Sequence, residues 1–349
     1  MKIQKNRILF EASDAHFVEK FGAQAAAEMV LDFRSLNNLP FLYDTWQLAD
    51  FLHTSRKSLF YYARHAGRSY TTREIPKHSG GVRHLQVPCR QLRGFQNIIL
   101  REILSRMPIS PYATAYRKGG HIIENAVPHV GKRYLLKLDL RDFFDSITFD
   151  QVYRAAFHTG NFPVQIGLML AEDCCRKGCL PQGAPTSPAL SNLVLRHFDT
   201  QLGCWCRDRG VAYTRYCDDM TFSADRPLYD VYGKVRRMLD KEGFTLNEAK
   251  TRFITNAGRQ SVTGLTVNEK VAVAAPYKRQ LRQEIYYALK FGAAESILRG
   301  GHEEYVEDGV PKEERYLLHL LGRTQYILQI EPENRWFGDA KVKLLERIR

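Results

Sequence analysis

The chain has 349 residues, enough for two domains or one subdivided enzyme. Its composition, 44% hydrophobic and 26% charged, excludes wholesale disorder, and no apolar run is long enough to span a bilayer. A net charge of +13 favours a polyanionic partner, either nucleic acid or an anionic membrane. Residues 1–14 carry scattered charge and no sustained apolar core, so no secretory signal is expected and the cytoplasm is the expected compartment. Cys89, Cys174, Cys175, Cys179, Cys204, Cys206 and Cys217 form no Cys-x-x-Cys pair, which disfavours a disulfide framework or a zinc ribbon and leaves reduced thiols.

In chain order, residues 15–32 have helical apolar spacing. Asp44 or Thr45 can cap a second helix running to His53, and Thr54 or Ser55 a third running to Arg64. Runs from Tyr70 to Ile75 and from Val82 to Val87 flank Ser79-Gly80-Gly81, a hairpin signal. Helical periodicity returns over 91–106. Residues 134–140 form a dense apolar strand ending in acid. Residues 149–157 and 164–175 look helical, and 188–207 reads as one long helix. Residues 211–222 split into two strands around Cys217-Asp218, 231–242 is helical, and 253–273 holds two or three strands. Helices dominate after Pro276, most clearly at 278–291 and 313–330. A helical start, a mixed middle and a helical tail make an α+β pattern.

Two acidic clusters sit at the ends of apolar β-runs. One is Asp139-Leu140-Arg141-Asp142-Phe143-Phe144-Asp145; the other is Tyr216-Cys217-Asp218-Asp219. Adjacent aspartates raise each other's pKa unless positive charge sits on them, and a divalent ion with oxygen ligands supplies it. Two ions between Asp139, Asp218 and a phosphate would suit in-line displacement, one activating a sugar hydroxyl and the other stabilising pyrophosphate. Taken singly, each cluster is equally readable as a solvated acidic turn.

Together these residues resemble a reverse transcriptase, in detail a bacterial retron enzyme. Tyr216-Cys217-Asp218-Asp219 matches the family's Tyr-x-Asp-Asp turn. Leu180-Pro181-Gln182-Gly183-Ala184-Pro185-Thr186-Ser187-Pro188 matches its Leu-Pro-Gln-Gly-x-Pro-x-Ser-Pro run throughout. Asn125-Ala126-Val127-Pro128-His129 matches the retron Asn-Ala-x-x-His signature, and Val262-Thr263-Gly264 its Val-Thr-Gly triplet. The resemblance implies a right-hand polymerase: an N-terminal helical region at 1–65, fingers at 66–130, a palm of antiparallel sheet plus helices at 131–273 with fingers helices interleaved at about 150–180, and a helical thumb at 274–349.

It also implies roles. Asp139, Asp218, Asp219 and the Leu140 backbone carbonyl would hold two Mg²⁺ ions. Lys77 and Arg83 would grip the triphosphate of a deoxynucleoside triphosphate. Phe144 would stand under its sugar, leaving no room for a 2′-hydroxyl, although a phenylalanine there could simply pack. Gln182 and Gly183 would approach nucleotide and template, and Lys250, in Asn247-Glu248-Ala249-Lys250-Thr251, would donate a proton to pyrophosphate. Asn125, His129, Val262, Thr263 and Gly264 would recognise RNA; for Asn125 and His129 a buried polar network is the other reading. Lys278, Arg279 and Arg282, beside a stripe of Leu281, Ile285 and Leu289, would hold a duplex backbone or RNA stem. A retron enzyme implies a cognate structured noncoding RNA, 2′-hydroxyl priming from a guanosine, a linked single-stranded DNA, a host ribonuclease H and a separate effector in antiphage defence. Another prokaryotic reverse transcriptase, of diversity-generating or abortive-infection type, and an RNA-binding scaffold for an effector are the alternatives.

Overall fold

The computed structural model describes residues 38–76 and 80–348. The helix expected over 15–32, and Lys77, lie outside the described residues. The first described helix is Thr45–Phe51, where the Asp44 carboxylate accepts from the backbone N–H groups of Trp46 and Gln47. Ser55 caps Arg56–His65 in the same way through the Ser58 N–H. Both caps satisfy donors that a helix start leaves without partners.

Strands β1 (Tyr70–Pro76) and β2 (Val82–Pro88) pair antiparallel, from Tyr70 opposite Pro88 to Pro76 opposite Val82. Helix Arg90–Glu102 follows and buries Leu92, Phe95, Gln96 and Ile99, one face at spacings of three and four. Strand β3 is Tyr134–Asp139, β4 is Ala212–Tyr216, β5 is Asp219–Ala224 and β6 is Arg252–Thr255; they form one sheet in the order β4-β5-β3-β6. Three shorter strands, β7 (Ser261–Val262), β8 (Leu265–Thr266) and β9 (Ala272–Val273), make a separate antiparallel sheet. The stretch 253–273 thus carries more, and shorter, strands than expected.

Two helices differ from expectation. The helix opened by the Thr148–Gln151 capping box runs only over Phe149–Val152 and passes into a wider π-turn at Tyr153–Phe157. The stretch 188–207 is two helices, Ser187–Val194 and Arg196–Arg207, broken at Leu195, whose ψ of 3° opens the last turn. No glycine or proline marks that break, so periodicity alone reads through it.

The chain divides into two compact units. One holds the described residues up to Gly120 with Lys137–Met220 and Tyr229–Thr251; the other holds His121–Leu136, Thr221–Leu228 and Arg252–Arg349. In the second, Leu281 and Ile285 of helix Ala275–Phe291 pack with Tyr316, Leu320 and Ile327 of Glu313–Ile330 and with Phe337 and Leu344 of Arg335–Ile348. The stripe Leu281, Ile285, Leu289 is therefore core, with Leu289 at its partly buried margin. No helix among the described residues is long and apolar enough to cross a membrane.

In the first unit, the Arg196–Arg207 helix meets the segment at Tyr112 through Gly203, where an added Cβ would stand 2.1 Å from the Tyr112 ring. Tyr112 in turn stacks on Tyr213 of β4, with ring centres 5.6 Å apart. Gly203→Ala is predicted to lose about 1–3 kcal/mol in urea unfolding through overpacking. Gly233→Ala, in helix Tyr229–Glu242 with open space at the new Cβ, is predicted to gain up to about 1 kcal/mol from helix propensity. Equal effects at the two positions would show that the Tyr112 contact is not tight.

Candidate active site

Strand β3 runs through buried Leu135, Leu136 and Leu138 and ends at buried Asp139. Its neighbour β5 begins at Asp219, immediately after the turn that carries Asp218. The sheet thereby brings the two acidic clusters of the sequence together, and the Leu140 N–H donates to the Asp218 carbonyl at 3.2 Å. A bridge from Leu140 to Leu246 uses the carbonyls of Asp139 and Thr245, not that of Leu140.

The turn between β4 and β5 has two residues, Cys217 and Asp218. Cys217 has φ of 61°, the left-handed region that costs an L-residue with a side chain about 1–3 kcal/mol. Its carbonyl accepts from Arg215 Nη1 at 2.9 Å, and the Tyr116 hydroxyl meets its Sγ at 3.3 Å. Asp218 and Asp219 are half-buried. Burial first, and then the charge of Asp218, push the Asp219 carboxyl up to about 6. Burial also raises Asp218, against its own backbone hydrogen bond and with the help of Asp139. These are carboxylates short of positive charge.

Part of that charge comes from Lys250, whose Nζ lies 2.8 Å from Asp139 Oδ2, while Asn247 Nδ2 donates to Asp139 Oδ1 at 3.2 Å. The hydrogen bond to Asp139 leads the effects that raise the Lys250 pKa, so its ammonium is held charged. Among the described residues no three His, Cys, Asp or Glu side chains are gathered as a finished ion cage; both Asp139 oxygens are taken by Asn247 and Lys250. The donor chemistry nevertheless fits an oxygen-preferring divalent cation: three carboxylates, two of them raised by burial and then by neighbouring carboxylate charge, that of Asp139 on Asp218 and that of Asp218 on Asp219.

The other residues expected at a nucleotide site are placed as follows. Arg83 is exposed on β2. Phe144 is half-buried, its ring 5.3 Å from that of buried Phe143. The Gln182 carbonyl accepts from the Gln86 N–H of β2 at 2.7 Å. Gly183 has φ of 128°, and a Cβ there would lie 2.8 Å from the Gln86 carbonyl oxygen. Glycine at 183 thus lets this loop lie against the β2 backbone.

Most residues expected to recognise RNA are internal to the second unit. His129 is fully buried, with Nδ1 2.7 Å from Ser223 Oγ, and Asn125 is buried with Nδ2 3.5 Å from Thr263 Oγ1. Val262 is core, while Thr263 (φ 46°) and Gly264 (φ 85°) form the turn between β7 and β8. A two-residue hairpin with both residues at positive φ matches a type I′ turn, which explains the glycine. The two short signatures therefore meet each other. The side chains of Asn125, His129 and Val262 pack inside the fold, and the hydrogen bonds of Asn125 and His129 form the buried polar network that was their other reading. Lys278 is tied to Glu331 at 2.7 Å, and Arg282 lies 5.4 Å from the ring centres of Trp336 and Phe337; Arg279 is exposed. Sequence reasoning missed Arg215, Asp199 and Tyr116, and it gave Asn247 a place in a motif but no contact with Asp139. The available signal was an arginine inside an apolar strand, two residues before the acidic turn.

Residues 75–284 match the reverse transcriptase (RNA-dependent DNA polymerase) family, and the chain belongs to that family. Its relatives place it among the retron reverse transcriptases. It is 36% identical to the Retron Mx65 reverse transcriptase of Myxococcus xanthus over 76% of this chain and 62% of that one. Identity to the Retron Ec86 reverse transcriptase of Escherichia coli is 34%, over 59% and 65%. With the Retron Ec83 reverse transcriptase of Escherichia coli it is 31%, over 80% and 90%. The chain thus spans somewhat under two thirds of the length of the Mx65 and Ec86 proteins. A solved telomerase from Candida albicans, in complex with a TWJ fragment of telomeric RNA, aligns over 79% of this chain and 58% of that one at 12% identity, with a TM-score of 0.43, too distant to carry an argument.

Burial pushes the His129 pKa down from 6.5 to about 3. Below pH 6.5 the unfolded chain takes up a proton that the folded state refuses, so stability falls by about 1.4 kcal/mol per pH unit until about pH 3. His129→Gln removes this dependence. The stability advantage of wild type over the variant, measured by urea unfolding, is predicted to shrink by about 2 kcal/mol between pH 7 and pH 5; an unchanged gap would mean that His129 titrates normally.

Proposed function

We propose that the chain is an RNA-directed DNA polymerase of retron type. It copies part of its own structured noncoding RNA into a short single-stranded DNA that stays linked to the RNA, starting from a guanosine 2′-hydroxyl. The observation that carries the catalytic assignment is the meeting of Asp139 with the Asp218-Asp219 turn at neighbouring strands, with Lys250 beside them. Family membership and the retron relatives support the substrate class.

In this reading, Asp139, Asp218, Asp219 and the Leu140 carbonyl hold Mg²⁺. The bound ions would supply the positive charge that the carboxylates lack and would neutralise nucleotide phosphates. Arg83 and Lys77 bind the triphosphate, and Phe144 excludes a ribose 2′-hydroxyl. Gln182 and Gly183 border the nucleotide and template, with the loop position set by the Gln86 contact. Lys250 holds its proton beside the carboxylates and gives it to the departing pyrophosphate. The exposed Arg279 and the Thr263-Gly264 turn contact RNA, and Asn125 and His129 fix that turn and its surroundings from within. Fingers, palm and thumb follow the boundaries given above. A separate effector, a host ribonuclease H and a role in antiphage defence complete the proposal.

Two measurements test it. The Asp218→Asn, Asp219→Asn double variant is predicted to retain RNA binding and to make no DNA, a fall of at least about 10³-fold; DNA synthesis by this variant would refute the site assignment. Nucleic acid purified with the wild-type protein is predicted to be one structured RNA joined by a 2′–5′ branch to a short DNA. Heterogeneous RNA with no linked DNA would point instead to another reverse transcriptase class or to a scaffold.

A further inference from the structure

We propose that Arg215, held by Asp199, is the positioning residue that sets the catalytic turn. The inference rests on the reading of Asp218 and Asp219 as catalytic carboxylates.

Arg215 and Asp199 are both fully buried. Arg215 Nε lies 2.9 and 3.1 Å from the two Asp199 oxygens, and its Nη2 lies 2.6 Å from Oδ2. The Tyr213 hydroxyl adds a third donor to Asp199, at 2.8 Å to Oδ1. This forked pairing fixes the guanidinium in plane and orientation, so its remaining nitrogen, Nη1, has a defined direction. It donates to the Cys217 carbonyl at 2.9 Å, the residue whose backbone is in the left-handed region and which immediately precedes Asp218.

The arginine backbone is pinned as well. Its N–H donates to the Tyr112 carbonyl at 2.8 Å, and its carbonyl accepts from the Thr114 N–H at 2.8 Å and from the Thr114 hydroxyl at 3.0 Å. A buried ion pair is in general weak evidence for stability, since a well-packed apolar pair often serves as well. What an apolar pair cannot do is hold the carbonyl of a strained turn. Asp199 sits on the Arg196–Arg207 helix, just past the break at Leu195, so the helix orients the carboxylate, the carboxylate orients the guanidinium, and the guanidinium sets the turn.

The test uses the full chain with its RNA and two kinds of variant. Asp199→Leu with Arg215→Met removes both charges and keeps the volume; Arg215→Lys keeps a charge for Asp199 but has no second arm for Cys217. For each, the thermal midpoint, nucleotide KM and kcat are measured, with Asp218→Asn as the control for the carboxylate assignment. The expected result is a midpoint within a few degrees of wild type, a KM within about twofold and a kcat at least about tenfold lower. Wild-type kcat in a folded variant would overturn the proposal. So would a kcat loss that only tracks the unfolded fraction, since the pair would then be merely structural. If Asp218→Asn itself keeps activity, the reading of the carboxylates fails instead, and the two failures are thereby separated.

Discussion

The candidate site depends on one constraint: two adjacent carboxylates must be presented on a two-residue turn whose first residue is in a left-handed conformation. Neither condition is favourable. The charges repel, burial withholds water from them, and the Cys217 backbone is strained. The surrounding structure answers each in turn. Arg215 holds the Cys217 carbonyl, Tyr116 meets the Cys217 sulfur, and the Leu140 N–H holds the Asp218 carbonyl. Lys250 brings positive charge to Asp139 on the next strand. Strain of this kind persists only where neighbours over-determine the geometry, and functional sites are where it is commonly found.

In the second unit the same economy appears in a different form. Asn125 and Thr263 touch, and His129 and Ser223 touch, so two signatures separated by more than a hundred residues of chain share one interior. Polar groups buried this way specify a unique packing, because each loses water and must find its partner. What that interior holds in place is the Thr263-Gly264 turn between β7 and β8.

Much of this was legible in the sequence. Alternation and apolar runs gave β3, β4 and β5, the caps at Asp44 and Ser55 gave two helices, and the Tyr-x-Asp-Asp and Leu-Pro-Gln-Gly runs led to the family. What stayed hidden was non-local. The break at Leu195 carries no glycine or proline. The partner of Arg215 lies on a different element, so strand periodicity marks the arginine as odd without saying what it holds. Lys278 reads as a surface cation until Glu331 is placed beside it. Gly183 reads in the sequence as a close approach to nucleotide and template, and the sequence does not show that its missing side chain also leaves space for the Gln86 carbonyl oxygen.

The central claim is that the Cys217-Asp218 turn is fixed by the protein before any substrate arrives. Amide hydrogen exchange of the RNA-free, metal-free protein tests this most directly. The account predicts that the Leu140 N–H, which donates to the Asp218 carbonyl, exchanges as slowly as core amides of β3 and β5. Exchange at the rate of exposed loops would contradict it, and would mean that the turn is ordered by its ligands rather than by the chain.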